Sequence, residues 1–183
     1  MPIKKQKEDF DILISQLANA YRALMINRLF LDDNEFVNQN FRLWIDIRAA
    51  FTIEYLLGVA KIFERPKNRI GEEVLSIYYL VDIQFSGHEK TIEGLKKFRS
   101  KFLVHNDLKI MRNPNKLFKN LGFTPDDIKN LLERAFDVLE DIKSHYGLGS
   151  LGNYNPKNIE KRVQGDLKNF KKWAISFSEV PIR

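Results

Sequence analysis

An all-α antiparallel bundle followed by a helical C-terminal extension is the fold class this sequence predicts, on three observations. Apolar residues recur at spacings of three and four along most of the chain, the mark of helices with one buried face. No pair of alternating apolar runs joined by a hairpin turn occurs, so strands have no local support. Gly and Pro number only 9 and 6 in 183 residues, with 44% apolar residues and 14 Phe. Such a chain can bury a full core and offset its ordering entropy. No internal repeat is visible, so the expected organisation is one bundle over 1–147 and a packed extension over 148–183.

The first helix is expected over 10–30, where Leu13, Leu17, Tyr21 and Leu24 share one face. A second, long run over 35–65 carries Phe41, Trp44, Phe51, Tyr55, Val59, Ile62 and Phe63 without proline. Pro66 ends it, because the residue before a proline is biased out of the helical region. A shorter third helix is expected over 70–83, rich in aromatic and β-branched residues. The fourth spans 91–105 with Thr91 as N-cap, and Asn113-Pro114-Asn115 breaks the pattern. Thr124-Pro125-Asp126-Asp127 then combines a cap, a first-turn proline and two acids at the positive end of a helix dipole. That helix runs through Ile128, Leu131, Leu132, Phe136 and Leu139 to Gly147. The stretch 147–156, GLGSLGNYNP, reads as a loop. Beyond it 158–173 reads as a basic helix or helix pair packed on the bundle by Phe170 and Trp173.

The chain has no cysteine, which excludes disulfides, thiolate zinc sites and a cysteine nucleophile, and makes the cytoplasm the simplest compartment. No window holds the roughly 18 uninterrupted apolar residues of a membrane helix, and the charged N-terminal stretch lacks the apolar core of a signal peptide. Glycine-rich phosphate loops, a GxSxG elbow, HExxH and an EF-hand pattern are missing. His88, His105 and His145 lie too far apart for a local metal pair, so neither metal nor other cofactor is expected. The acid pairs Glu72-Glu73 and Glu140-Asp141 read as solvated charge.

The net charge of +6 is localised. Between Gly87 and Asn120 there are nine basic residues against three acidic ones, and the remainder of the chain balances at 21 and 21. That concentration points to a polyanion. Lys96, Lys97, Lys101, Lys109 and Arg112, with the polar Ser100 and Asn106 among them, are the expected contacts. A second basic run, Lys157 to Lys172, is offset by acidic helices.

Inside the basic region stands Arg99-Ser100-Lys101-Phe102-Leu103-Val104-His105-Asn106-Asp107. At 100° per residue, with Ile92 at zero, Leu103, Leu95, Phe102 and Phe98 form one apolar arc. Arg99 falls near 340°, within it, and His105 near 220°, at its edge. A guanidinium cannot discharge itself, so on such a face it needs an acid or a polar cleft. Two readings follow. In one, Arg99 pairs with an acid such as Asp46, Glu54 or Asp82 and His105 caps the helix. In the other, Arg99 binds a phosphate and His105 moves a proton.

Arg99 and His105, five residues between them on a late helix, resemble the R-x(4 to 6)-H motif of the HEPN superfamily. Leu57-Gly58-Val59-Ala60-Lys61-Ile62-Phe63 and Leu95-Lys96-Lys97-Phe98-Arg99 look like its abortive-infection AbiU-type branch. The resemblance spans roughly 10–142 and implies a HEPN-like bundle. It further implies a metal-independent endoribonuclease of phage-defence or toxin type, with Arg99 on the scissile phosphate and His105 as general acid or base. The expected partners are RNA, a second copy of the chain across the cleft, and an antitoxin protein. Active members usually carry Asn, Asp or His after the arginine, whereas this chain carries Ser100. The alternative is therefore a catalytically inert HEPN-like module that binds RNA or a partner.

Overall fold

The computed structural model describes residues 3–32, 41–67, 71, 73–105 and 114–178, and side chains at 7–29, 46–67, 71, 73–100 and 117–172. The helices among the described residues are α1 (Ile3–Asp32), α2 (Phe41–Ile62), α3 (Ile77–Leu80), α4 (Glu89–His105), α5 (Pro114–Leu121), α6 (Pro125–His145) and α7 (Pro156–Ser178), with a 3₁₀ turn at Gly152–Tyr154. No strand occurs among the described residues, so the fold is all-α.

The periodic residues of α1 are its buried ones: Phe10, Leu13, Ile14, Leu17, Tyr21 and Leu24 all enter the core. Helix α2 lies close on α1. A Cβ added to Gly58 would stand 3.2 Å from the Ala20 Cβ, so the two small residues let the backbones approach. Asn27 of α1 then donates to Thr52 Oγ1 (2.8 Å) and the Arg48 carbonyl (3.0 Å) of α2. A buried amide satisfied this way fixes the register of the pair.

Three local expectations are corrected. The helix expected over 70–83 is reduced to α3, four residues long. Gly71 has φ of 86°, Ser76 and Val81 are extended, and the aromatics around them are drawn into a tertiary cluster in which Phe63 meets Phe85 at 5.0 Å and Tyr78 at 6.3 Å. Thr91 is not a cap: α4 already starts at Glu89, and Thr91 is buried within its first turns. Pro114 opens a helix instead of only breaking one. Proline's missing N–H is harmless in a first turn, and the N–H of Gly122 (φ 77°) closes the far end on the Phe118 carbonyl at 2.9 Å.

The strongest start signal forms as expected. Thr124 Oγ1 accepts from the Asp127 N–H (3.2 Å) while the Asp127 carboxylate accepts from the Thr124 N–H (2.7 Å), a reciprocal cap with Pro125 in the first turn. Glu140, one of the paired acids, is not merely solvated, since it accepts from the Leu151 N–H at 2.7 Å and ties the following loop to α6. Helix α7 is longer than expected, and what anchors it differs. Ile159 and Val163 join the same core as α1 and α6, whereas Phe170 is 39% exposed. The Trp173 side chain falls outside the described ones.

A polar knot locks α7 to the bundle. The Tyr21 hydroxyl lies 2.6 Å from Glu160 Oε1 and 3.0 Å from Glu133 Oε1, and Lys129 Nζ lies 3.3 Å from both acids. With one proton to give, Tyr21 serves Glu160, and Lys129 bridges the two carboxylates. Burial pushes the Glu160 carboxyl up, but the hydrogen bonds from Tyr21 and Lys129 and the charges of Lys129 and Arg28 outweigh it, and its pKa is lowered from 4.5. A depressed carboxyl stabilises the fold above its unfolded pKa and loses that contribution as pH falls through the folded value. Acid titration from about pH 4.5 downward should therefore lower the Tm of the wild type more steeply than that of Glu160→Gln. Parallel acid limbs in the two proteins, followed by circular dichroism, would contradict this coupling.

Candidate functional site

Helix α4 is the element on which the basic region is built. Thr91, Ile92, Leu95 and Phe98 are buried, while Glu93, Lys96, Lys97 and Ser100 face solvent. Gly94 is what lets the helix sit down on its neighbours: a Cβ there would stand 2.6 Å from the Leu121 carbonyl oxygen and 2.5 Å from the Phe123 ring. Only a residue without a side chain fits so close to a backbone oxygen.

Arg99 lies where the apolar arc meets the surface, with its side chain 41% exposed. Its Nη1 pairs with Glu64 Oε1, whose side chain is 20% exposed. Of the two readings of Arg99, the ion pair is the one seen, with Glu64 rather than Asp46, Glu54 or Asp82 as its acid. Two consequences follow from chemistry. The carboxylate restrains a flexible guanidinium in one orientation, and the planar fork keeps further N–H groups for a second acceptor. Glu64 comes from the end of α2, two residues after its last helical position and two before Pro66, with its N–H on the Lys61 carbonyl at 3.2 Å. Sequence reasoning missed it. The available signal was its place directly after the Leu57–Phe63 run and ahead of a helix-ending proline.

The other expected residues divide cleanly. Lys96 is exposed one turn before Arg99 on neighbouring azimuths. Lys97 Nζ is engaged with Glu93 Oε1 at 2.8 Å, and that hydrogen bond and charge hold the exposed Glu93 carboxyl below its ordinary value. The Ser100 hydroxyl turns back onto its own helix and donates to the Lys97 carbonyl at 3.0 Å. Lys101 and His105 belong to α4, of which His105 is the last residue, and their side chains lie outside the described ones. Asn106, Lys109 and Arg112 lie outside the described residues altogether. The structure therefore brings together Arg99 and Glu64, with Lys96 exposed one turn earlier on the same helix and His105 at that helix's end.

Among the described residues no group of three or more His, Cys, Asp or Glu is placed to hold a metal ion, and no described helix is long and apolar enough to cross a membrane. A restrained guanidinium with an ammonium one turn away can accept a phosphate at this surface.

The HEPN family described as AbiU2 matches residues 81–170, just under half of the chain, from the approach to α4 into α7. The matched stretch contains Arg99 and His105 and all of α4, α5 and α6. No curated protein and no solved structure matches the chain.

Proposed function

Because residues 81–170 belong to the AbiU-type branch of the HEPN superfamily, we propose that the protein is a metal-independent endoribonuclease of phage-defence or toxin type. The observation that carries this reading is Arg99: a half-exposed guanidinium, restrained by Glu64, on the matched helix that ends in His105. Arg99 binds and neutralises the scissile phosphate. A ribose 2′-hydroxyl attacks that phosphorus; its proton passes to a base, the bond from phosphorus to the 5′-oxygen breaks, and an acid protonates the departing oxygen. Imidazole, with an ordinary pKa of about 6.5, suits both proton transfers. The products are a 2′,3′-cyclic phosphate and a free 5′-hydroxyl.

One copy of the motif makes a poor site. Six residues along a helix separate Arg99 and His105 by about 9 Å along the axis and about 120° around it. A two-fold pairing of α4 brings two arginines and two histidines to one cleft, and gives one imidazole for the base and one for the acid. The basic excess around α4 then supplies the attraction for RNA. Purified protein should sediment as a dimer at micromolar concentration and cut single-stranded RNA in EDTA. A monomer inert toward total cellular RNA would defeat the proposal.

Ser100 favours a second reading. Its hydroxyl is spent on the Lys97 carbonyl, where active relatives usually carry a stronger polar group. A catalytically inert HEPN-like module would bind RNA or a partner, such as an antitoxin, through the same surface and leave the RNA intact.

A further inference from the structure

Helix α7 carries two adjoining hollows at the edge of the core, away from the residues of the Arg99 surface. The first, about 390 Å³, opens between α1, α2 and α7, with Ile26, Ile47, Phe51, Leu167 and Phe170 along it and almost no polar surface within. Arg22 and Asp166 stand at its rim, paired at 3.6 Å. The second, about 340 Å³, shares Leu167 with the first and is lined by Leu29, Gln164, Lys168, Lys171 and Lys172.

We propose that these hollows form one binding site for single-stranded RNA, bases on the Phe51–Phe170 side and phosphates on the lysine side. The site deepens the ribonuclease reading and rests on it only for its purpose, which is to hold substrate strand away from the cleavage point. Charge chooses the occupant. The two acids of α7 between Lys157 and Lys172 are consumed: Glu160 by Tyr21 and Lys129, Asp166 by Arg22. Lys168 and Lys172 form no ion pair among the described residues. Their spacing of four, with Lys171 beside Lys172, puts the ammonium groups on one side of the helix.

Chemistry also sets the selectivity. An aromatic-edged hollow beside cations is the combination that holds unpaired nucleotides, through stacking and backbone attraction. The walls of the first hollow, on the Phe51–Phe170 side, offer almost no donors or acceptors, so base edges held there go unread and binding should be tolerant of sequence. A duplex, with its bases already stacked inside, cannot offer them to Phe170.

The test uses the full chain and a fluorescein-labelled, fully 2′-O-methylated single-stranded RNA of mixed sequence, about twelve nucleotides long, which cannot supply a 2′-hydroxyl and so reports binding alone. Fluorescence anisotropy across a salt series should show the double variant Lys168→Gln, Lys172→Gln with a log–log salt slope shallower by about 1.4. Phe170→Ala should weaken binding about tenfold with the slope unchanged. Arg99→Ala should keep both α7 effects. Wild-type affinity in the double variant, equal affinity for a duplex of the same sequence, or stronger binding of poly-L-glutamate than of RNA overturns the proposal. The last would mark the hollows as a docking face for an acidic protein. Lysine-dependent binding without cleavage of unmodified RNA would defeat the ribonuclease reading and leave this site standing; cleavage without lysine-dependent binding would do the reverse.

Discussion

Arg99→Ala and His105→Ala should each lower metal-free RNA cleavage by about 10²- to 10⁴-fold. On the proposed mechanism the arginine would contribute charge where the phosphorane oxygens become more negative, held in place by its ion pair with Glu64. Its removal should leave the fold unharmed, because a pair whose members are 41% and 20% exposed is worth about 1 kcal/mol or less. Arg99→Lys should rescue little, since an ammonium cannot hold Glu64 and a phosphate in one plane. Glu64→Gln provides the separating case. It leaves the guanidinium charged but loosely held, so activity should fall less than in Arg99→Ala and the pH profile should keep the limb assigned to His105. Ends should carry 2′,3′-cyclic phosphate, and a substrate with 2′-deoxyribose at the cut should survive. Cleavage that persists in both alanine variants would remove these residues from the reaction.

Gly94→Ala should destabilise the protein by about 2 kcal/mol, a fall in Tm of about 4–8 °C for a chain of this size. Two effects compete. Alanine gains up to about 1 kcal/mol over glycine in a helix interior, but its Cβ would meet the Leu121 carbonyl oxygen at 2.6 Å and Phe123 at 2.5 Å. The ring could turn. The carbonyl belongs to a backbone held by the Gly122 closure and the Thr124 cap, so α4 itself must lift and the clash prevails. Gly165→Ala is the internal control: its Cβ would meet nothing within 4 Å on α7, and the helix gain stands alone. Equal melting temperatures for Gly94→Ala and wild type would show that the contact relaxes at no cost.

Where a signal is local, the sequence carried it. The cap at Thr124 works because all its partners lie within four residues, and the apolar stripe of α1 names its own buried face. The helix expected over 70–83 fails for the opposite reason: the residues that look periodic there are claimed by Phe63 and Phe85 from elsewhere. Helix α5 was hidden because Asn-Pro-Asn reads equally as a stop and as a start. Arg99 stood out on its helix face, but its azimuth alone overstated its burial, since the exposure of a position near a helix end depends on which neighbours cover it.

By itself, the sequence determined the helical class, the motif spacing on α4 and the concentration of charge around it, because periodicity and composition are properties of neighbours along one chain. Only the tertiary structure decided that Glu64 holds Arg99 and that Gly94 sets the height of α4. It alone brought α1, α2 and α7 together around the lysine-flanked hollow. Each of these joins residues far apart in sequence, and their meeting is set by how closely whole helices pack, which no local pattern encodes.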